Sequence, residues 1–129
     1  MMKTILCFLL VAGFSCSVKN DSYRKAADAL DAGREYIMAC LAGDFEKAAF
    51  YARQNDASRA YLAELEKVYR EKDKEGRQQL RTASLNINEV KDLNDSITQI
   101  NYSNSFEKIA QTIFIVREHN TWLVDKSKK

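Results

Sequence analysis

Proline is absent from the 129-residue sequence, and histidine and tryptophan occur once each. Because proline interrupts helices and strands, its absence favours long regular elements. One histidine and the one free cysteine that remains after the processing predicted below are too few for a zinc site, and a catalytic triad or dyad would have to use His119. The four glycines form no phosphate-binding loop. The sequence therefore lacks the residues for metal, nucleophilic and phosphate chemistry, and no cofactor is expected.

A strong charge of either sign is also missing. Twenty basic and 18 acidic residues give a formal net charge of +2, which provides no basic field for nucleic acid. Hydrophobic residues make up 46% of the chain and charged residues 29%, a balance typical of a globular protein. At this length, the composition predicts a single folded domain.

The first residues have the layout of a secretory signal peptide. Met1-Met2-Lys3 is a short positive end, and residues 4–14 are almost entirely apolar. This run is about half of the roughly 20 residues that a membrane-spanning helix needs. We therefore predict that residues 1–15 are a signal peptide.

The residues that follow resemble the lipobox of bacterial lipoproteins, in which a cysteine becomes the new N-terminus and carries acyl chains. The segment is Gly13-Phe14-Ser15-Cys16, with a small residue directly before the cysteine. Gly13 and Phe14 depart from the residues usual at their positions, and the alternative is an ordinary signal peptide with a coincidental cysteine. We predict that Cys16 is the lipid attachment site and that residues 16–20 are a lipidated tether. The resemblance implies a bacterial cell-envelope protein facing the periplasm or held in the outer membrane.

Cysteine usage after this cleavage leaves no intramolecular disulfide. Cys7 is removed with the signal peptide, Cys16 carries the lipid, and Cys40 is left alone. Cys40 lies on the apolar stripe of a predicted helix, so we expect a small buried group rather than a nucleophile.

The residues from 21 to 81 predict helices, in a domain that we expect to span residues 21–129. A first helix is capped by Asp21 or Ser22 and stops at Gly43, which suits a left-handed C-terminal position. Asp44 caps a second helix that runs to about residue 52. A third helix begins at residue 56 or 58 and runs to residue 73, and Gly76 ends or relaxes it.

The residues after 81 predict an antiparallel meander of three to four strands. The predicted strands are 84–93, 96–103, 109–117 and 121–125, with turns at Asn94-Asp95 and His119-Asn120. A β-bulge near Asn88-Glu89 would restore the apolar register of the first strand. Because an isolated meander needs an apolar layer on one face, we predict an α+β domain with the helices packed on the sheet.

Two segments of this layout resemble small bacterial lipoproteins with uncharacterised domains of the nuclear-transport-factor-2-like (NTF2-like) superfamily. One is Gly43-Asp44-Phe45-Glu46-Lys47-Ala48 at the helix break, and the other is residues 118–125, where Trp122 follows a tight turn. The resemblance implies a curved antiparallel sheet wrapped around helices, with a cone-shaped cavity. It implies no reaction, because the superfamily includes both enzymes and binding domains.

The candidate pocket residues are Tyr36, Glu89, Tyr102 and Gln111. Some enzymes of the superfamily work with an acid and a tyrosine in the cone, and these four residues are the candidates for such a group. The alternative is that the bulge turns Glu89 outward and the tyrosines only pack. The remaining helical tyrosines (Tyr51, Tyr61 and Tyr69) and the single tryptophan, Trp122, are predicted core residues.

Two functions of different class remain open. The first is a non-catalytic binding or interaction domain that is held at the membrane through the lipid on Cys16. Its partner would be another envelope protein or a small apolar ligand. The second is a small isomerase- or dehydratase-like enzyme that uses a pocket carboxylate and tyrosine. Whether Glu89 faces a closed cavity or open water discriminates between them.

Overall fold

The structure is a computed structural model that describes residues 23–128. Four helices come first: α1 (Ala29–Ala42), α2 (Phe45–Phe50), α3 (Asp56–Glu71) and α4 (Lys74–Arg81). Four strands follow: β1 (Leu85–Asn94), β2 (Ile97–Asn104), β3 (Gln111–Glu118) and β4 (Thr121–Asp125). The architecture is α+β, as predicted. The predicted signal peptide and the tether at residues 16–20 lie outside the described residues.

Helix α1 begins later than the sequence pattern indicated. Asp28 is its N-cap and accepts a hydrogen bond from the backbone N–H of Asp31 at 2.8 Å. Residues 23–27 are not helical, because Arg24 is held by tertiary contacts instead. Its guanidinium donates to Asp31 at 2.8 Å, and its carbonyl accepts from the Tyr51 hydroxyl at 2.7 Å. The predicted start at residue 21 or 22 is therefore wrong.

The helix break at Gly43 and Asp44 is confirmed. Gly43 has φ of +76°, and its N–H donates to the carbonyl of Cys40 while the N–H of Asp44 donates to Ala39. These two bonds form a Schellman motif, which satisfies the last carbonyls of α1. The Asp44 carboxylate then accepts from the N–H of Lys47 and caps α2.

Helix α2 ends at Phe50, two residues before the predicted end, because the chain after it pairs with the sheet. The N–H of Val124 donates to the Tyr51 carbonyl, and the N–H of Arg53 donates to the Val124 carbonyl, both at 2.8 Å. This segment covers part of the outer edge of β4, whose backbone groups would otherwise lack partners.

The position of Gly76 was predicted wrongly. The third helix ends at Glu71, and Gly76 lies in the first turn of a separate helix, α4. The Asp73 carboxylate accepts from the N–H of Gly76 at 2.7 Å, so a good cap offsets the weak helix propensity of glycine. Leu80 on α4 is buried in the core and fixes this helix to the domain.

The four strands form an antiparallel meander in the order β1-β2-β3-β4. The register of β1 on β2 shifts between Ile87 and Glu89, which confirms the predicted bulge, and shifts again between Asp92 and Asn94. His119 and Asn120 both have positive φ, at 48° and 60°, in the turn between β3 and β4. Such a turn matches the twist of the strands it joins.

Helix α1 lies across the inner face of this sheet. A Cβ atom added at Gly33 would lie 2.8 Å from Cδ1 of Ile100 and within 3.6 Å of Cδ1 of Ile115 and Ile113. The absence of a side chain at Gly33 therefore allows the helix to approach the sheet closely. All three isoleucines are buried and form the centre of the core.

Candidate cavity between the helices and the sheet

A cavity of about 140 Å³ lies between the C-terminal half of α1, the inner face of α3 and one end of the sheet. Its lining contains tyrosines, aliphatic side chains and a few polar residues. The lining residues are Tyr36, Ile37, Cys40, Leu41, Phe45, Tyr61, Leu65, Val68, Tyr69, Lys72, Leu80, Tyr102, Asn104, Glu107 and Gln111.

The periodicity of two helices produces the apolar part of the wall. Ile37 and Leu41 are one turn apart on α1, and Leu65 and Val68 are three residues apart on α3. Residues at these spacings share one helix face, so each helix presents an apolar face to the cavity. Phe45 packs edge-on against Tyr69, with ring centroids 5.7 Å apart.

Tyr36 is the most deeply buried polar residue of the lining. Its side chain is 2% exposed, and its hydroxyl has no hydrogen-bond partner among residues 23–128. Burial raises the pKa of Tyr36, and the neighbouring Cys40 adds to this effect. The thiol lies close to the hydroxyl but outside hydrogen-bond geometry, and sulfur is a weak partner in any case. A buried hydroxyl without a partner destabilises a fold by about 1–3 kcal/mol.

Tyr102 and Gln111 form a pair across β2 and β3. They are directly opposite in the strand register, and the Tyr102 hydroxyl lies 3.3 Å from Gln111 Oε1, to which it donates. Burial raises the pKa of Tyr102, and the neighbouring Tyr61 and Cys40 raise it further. The Tyr102 hydroxyl therefore stays protonated at neutral pH and already has its partner.

Cys40 and Tyr61 complete the polar part of the interior. Burial raises the pKa of the Cys40 thiol to about 12, although the nearby Tyr36 hydroxyl opposes the shift. Burial also raises the pKa of Tyr61. The Lys126 ammonium lies 4.0 Å from the centre of the Tyr61 ring, and burial lowers the pKa of Lys126. At neutral pH the interior groups are thus three neutral phenols and a neutral thiol.

The opening of the cavity carries a carboxylate and an amide. Asn104 Nδ2 donates to Glu107 Oε1 at 3.2 Å, while Asn104 Oδ1 accepts from the backbone N–H groups of Phe106 and Glu107. The loop after β2 is thereby fixed in shape. Glu107 is exposed, and Lys72, directly after α3, lines the same cavity.

The structure brings together three of the four predicted pocket residues and excludes the fourth. Tyr36, Tyr102 and Gln111 line the cavity, whereas Glu89 does not and is exposed to solvent. The bulge at Asn88 places Glu89 opposite Asn101, on the outer face of β2. The hypothesis that Glu89 belongs to the pocket is therefore wrong. The alternative stated above, in which the bulge turns Glu89 outward, describes the structure.

Several lining residues were not predicted as pocket residues. Tyr61 and Tyr69 were interpreted as core residues, because their helical spacing fits a core position as well as it fits a cavity wall. Tyr51, which was also predicted to be a core residue, is buried at 2% exposure. Glu107 was not singled out. It lies in the loop that joins β2 to β3, and the fact that Tyr102 is only two residues from the end of β2 is the signal that would place this loop at the cavity.

Other sequence predictions have mixed outcomes. Cys40 is half-buried and lies beside the core, close to what was predicted. Trp122 is also half-buried rather than a full core residue, with the Arg117 guanidinium 5.8 Å from its ring centroid.

Cys16 lies outside the described residues, so its lipidation stays a prediction. Within residues 23–128, no cluster of three potential metal ligands is found. No helix in this range is long and apolar enough to cross a membrane.

Comparison with known proteins supports the fold. No protein-family model matches the sequence, and no curated protein matches it either. A solved structure described as an NTF-2 like protein of unknown function from Shewanella oneidensis MR-1 is similar, with a TM-score of 0.51 and 15% sequence identity. The similarity covers 74% of this chain and 89% of the other. At this identity the match shows the fold alone, and the fold is NTF-2-like.

Proposed function

We propose that this NTF-2-like domain is a lipid-anchored protein of the bacterial cell envelope that works by binding a small molecule in the cavity between α1, α3 and the sheet. The observation that carries the proposal is a cavity lining that combines aliphatic side chains with polar residues such as Tyr61, Tyr102 and Gln111. Ligand pockets commonly pair such a wall with a few convergent polar groups.

Binding is favoured over catalysis by the state of the interior groups. A thiol with a pKa near 12 is almost never a thiolate at neutral pH, so Cys40 is a poor nucleophile. The phenols of Tyr36 and Tyr102 also stay protonated, because burial raises their pKa. These groups donate hydrogen bonds and exclude water, but none of them is poised to accept a proton at neutral pH.

The anchoring part of the proposal rests on the sequence Gly13-Phe14-Ser15-Cys16. The described chain begins near the N-terminal end of α1, where Tyr23 packs on Phe50 with ring centroids 5.5 Å apart. The cavity lies at the C-terminal half of α1, a helix about 21 Å long. An anchored domain would therefore carry its cavity at the end of α1 away from the tether.

An acid–base enzyme is the second candidate, and one observation favours it. Glu107 and Tyr102 line the same cavity, so a carboxylate and a tyrosine are present even though Glu89 is absent.

Another envelope protein is the alternative partner, for which the exposed side chains of Val90 and Leu93 on β1 are available. Nucleic acid is not proposed as a partner, because the net charge is only +2.

The test is a ligand screen on a soluble form comprising residues 17–129, which contains all eight elements and the entire described core. Binding would be measured by ligand-observed NMR and thermal shift, and hits would be checked for turnover by mass spectrometry. Val68→Trp, on the cavity wall, should abolish binding. Val90→Trp, similarly exposed on β1, should preserve it.

Three outcomes would contradict parts of this proposal. If both tryptophan variants bind every hit as well as the wild-type protein does, the cavity is not the binding site. If a hit is turned over and Glu107→Gln reduces turnover by about a hundredfold or more, the protein is an enzyme. If no small molecule binds at all, the small-molecule part of the proposal fails.

A further inference from the structure

The loop between β2 and β3 holds two large apolar side chains in solvent. Residues 105–110 are all exposed, with Phe106 at 41% and Ile109 at 59%. The value for Ile109 is the highest among the large apolar residues of the described chain. Single exposed apolar residues are common, but a pair on one short loop is a candidate contact surface.

Hydrogen bonds fix the shape of this loop. The buried side chain of Asn104 accepts from the backbone N–H groups of Phe106 and Glu107, at 3.0 and 2.7 Å. The Asn104 carbonyl accepts from the N–H of Lys108 at 2.9 Å, and Lys108 has φ of 58°, a conformation found in tight turns. Because the backbone is held in this way, the exposure of Phe106 and Ile109 is a feature of the folded turn.

Lysines lie at the same end of the domain. Lys108 stands in the loop itself, and Glu107 places the loop at the wall of the cavity, which Lys72 also lines. Lys126 packs over the ring of Tyr61, another residue of this wall. A negatively charged surface that touched the loop would therefore meet Lys108 at the contact, with Lys72 and Lys126 nearby, against the one carboxylate of Glu107.

The size of this surface favours a lipid bilayer over a protein. A stable protein interface buries on the order of 1,000 Å² or more, well beyond what two partly exposed side chains offer. A short apolar tip beside lysines instead suits the boundary between headgroups and acyl chains, where apolar groups are buried and cations meet anionic lipids. An anionic bilayer thus fits both the apolar and the charged parts of the loop.

The predicted tether is long enough for the lipid and the loop to reach one membrane. The loop lies towards the C-terminal end of α1, because Glu107 lines the same cavity as Cys40 and Leu41. Helix α1 is about 21 Å long, and residues 16–22 span at most about 25 Å. The domain can therefore lie on the membrane with both ends of α1 close to the surface.

We propose that Phe106 and Ile109 insert into the anionic membrane surface that carries the lipid anchor, while Lys108 contacts the headgroups. The domain then has two membrane contacts, the lipid on Cys16 at one end of α1 and this loop at the other. The proposal rests on the anchoring part of the proposed function and does not depend on small-molecule binding. It gives the loop an orienting role, in which the cavity wall that contains Glu107 faces the lipid.

The first test uses a 16–129 form that is coupled through Cys16 to vesicles of phosphatidylcholine, phosphatidylglycerol and a maleimide lipid. Cys40→Ala leaves Cys16 as the reactive cysteine, and Trp122→Phe removes the natural tryptophan. A new tryptophan is introduced by Phe106→Trp in the loop. Val90→Trp is the matched control, because Val90 is 44% exposed on β1, beside the start of α1.

Insertion predicts two changes in the fluorescence of the anchored Phe106→Trp variant. Its emission should move to shorter wavelength, and lipids with brominated acyl chains should quench it. The Val90→Trp variant should be quenched less. Both changes in Phe106→Trp should decrease when phosphatidylglycerol is omitted or salt is raised, because the attraction of Lys108 to the headgroups is then weaker.

The second test measures how the soluble 17–129 form sediments with vesicles of phosphatidylcholine and phosphatidylglycerol. Phe106→Ser/Ile109→Ser should weaken binding by about tenfold or more, because insertion buries both side chains. Lys108→Asn should weaken it by about fivefold through the loss of one charge, and asparagine suits the positive φ. Val90→Ser/Leu93→Ser removes two side chains that are 44% exposed each and should leave binding unchanged.

Several results would overturn the proposal. Emission of Phe106→Trp that is neither shifted nor quenched, or stronger quenching of Val90→Trp, would do so, and this comparison decides if the 17–129 form binds too weakly to measure. Equal losses of binding in the two double-serine variants would also contradict it. A 17–129 dimer that Phe106→Ser/Ile109→Ser converts to a monomer would make a second copy the occupant.

Failure of the anchoring itself is recognised separately. If native Cys16 takes up no fatty-acid analogue, the anchoring part of the proposed function is wrong. The maleimide-coupled form still measures whether the loop enters an anionic bilayer, since its attachment is chemical.

Discussion

The ring of Tyr69 lies against the backbone of Gly43 at the turn between α1 and α2. A Cβ atom added at Gly43 would be 2.6 Å from ring atoms Cε1 and Cζ and 2.7 Å from the hydroxyl oxygen. Gly43 also has φ of +76°, a conformation that other residues adopt with strain. The end of α1 and one wall of the cavity are therefore fixed by the same contact.

Replacing Gly43 with alanine should destabilise the domain by about 2–4 kcal/mol. Backbone strain contributes about 1–2 kcal/mol and the clash with Tyr69 about as much again. Chemical denaturation would measure the change. In a Gly43→Ala/Tyr69→Leu double variant the clash should be relieved while the backbone strain remains. The double variant should therefore lose less stability than the two single variants lose when their losses are added.

The control for this prediction is Gly76→Ala. Gly76 lies inside α4 with ordinary helical φ, and its nearest neighbour would be an Asp73 carboxylate oxygen at 3.1 Å. Alanine is favoured in helices over glycine by about 1 kcal/mol, so the substitution should be close to neutral or stabilising. Equal destabilisation at both positions would contradict the role assigned to Gly43.

Acid should destabilise the domain through Asp125. Burial alone raises the pKa of Asp125, but hydrogen bonds from Ser127, Asn55 and Arg53 outweigh it and lower the pKa to about 2. Because the folded pKa is below the ordinary value, the stabilisation is present above pH 4. It should be lost as the pH falls from about 4 through 2, to an extent of about 2 kcal/mol.

Urea unfolding between pH 6 and pH 2 would test this dependence. Asp125→Asn should flatten the acid limb of the stability curve, whereas Asp56→Asn, at a fully exposed side chain, should leave it unchanged. Part of the limb should persist in Asp125→Asn, because the Arg24 hydrogen bond lowers the pKa of Asp31 to about 2 as well. An unaltered limb in Asp125→Asn would show that this network does not control acid stability.

Cys40 should react slowly with thiol reagents in the folded 17–129 form, where it is the remaining cysteine of the sequence. A folded pKa near 12, against about 8.5 in an unfolded chain, lowers the thiolate fraction at pH 8 by on the order of a thousandfold. Alkylation followed by mass spectrometry would measure the rate. Urea should restore fast alkylation, and comparable rates with and without urea would contradict the burial of this thiol.

Trp122 should report a half-buried site through its fluorescence. Its emission should lie between the values for buried and exposed tryptophan and move to longer wavelength on unfolding. Because the ring is only partly covered, Trp122→Ala should cost less than the 3–5 kcal/mol or so typical of a fully buried tryptophan. Arg117→Ala should cost only about 0.5–1 kcal/mol, and a larger loss there than at Trp122 would reverse the proposed ranking.

Replacing Cys16 with alanine should abolish lipid attachment. Two or three acyl chains on one cysteine are enough for stable membrane anchoring, whereas one chain is not. Labelling with a fatty-acid analogue and fractionation of membranes would measure the effect, with Cys40→Ala as the matched control that should stay labelled. Unchanged labelling of Cys16→Ala would rule out the lipid site.

Local signals in the sequence predicted the local structure well. Gly43-Asp44 and His119-Asn120 are short segments whose backbone preferences fix a helix end and a tight turn without help from distant residues. Apolar runs between polar turns likewise predicted the strands, and a break in the apolar alternation of the first strand predicted the bulge near Asn88. The start of α1 was missed, because Arg24 is positioned by Asp31 and by Tyr51, which follows α2.

The sequence by itself determined the α+β order, the helix break at Gly43-Asp44, the turn at His119-Asn120, and the lack of residues for metal or nucleophilic chemistry. Only the tertiary structure decided which polar side chains meet in the cavity. Periodicity places Tyr61 on an inner helix face, but whether that face meets core or cavity depends on how α3 packs against α1. Likewise, one extra residue at Asn88 turned Glu89 outward, and the loop after β2 brought Glu107 to the opening instead. Such choices depend on contacts between residues distant in the chain, which no local pattern specifies.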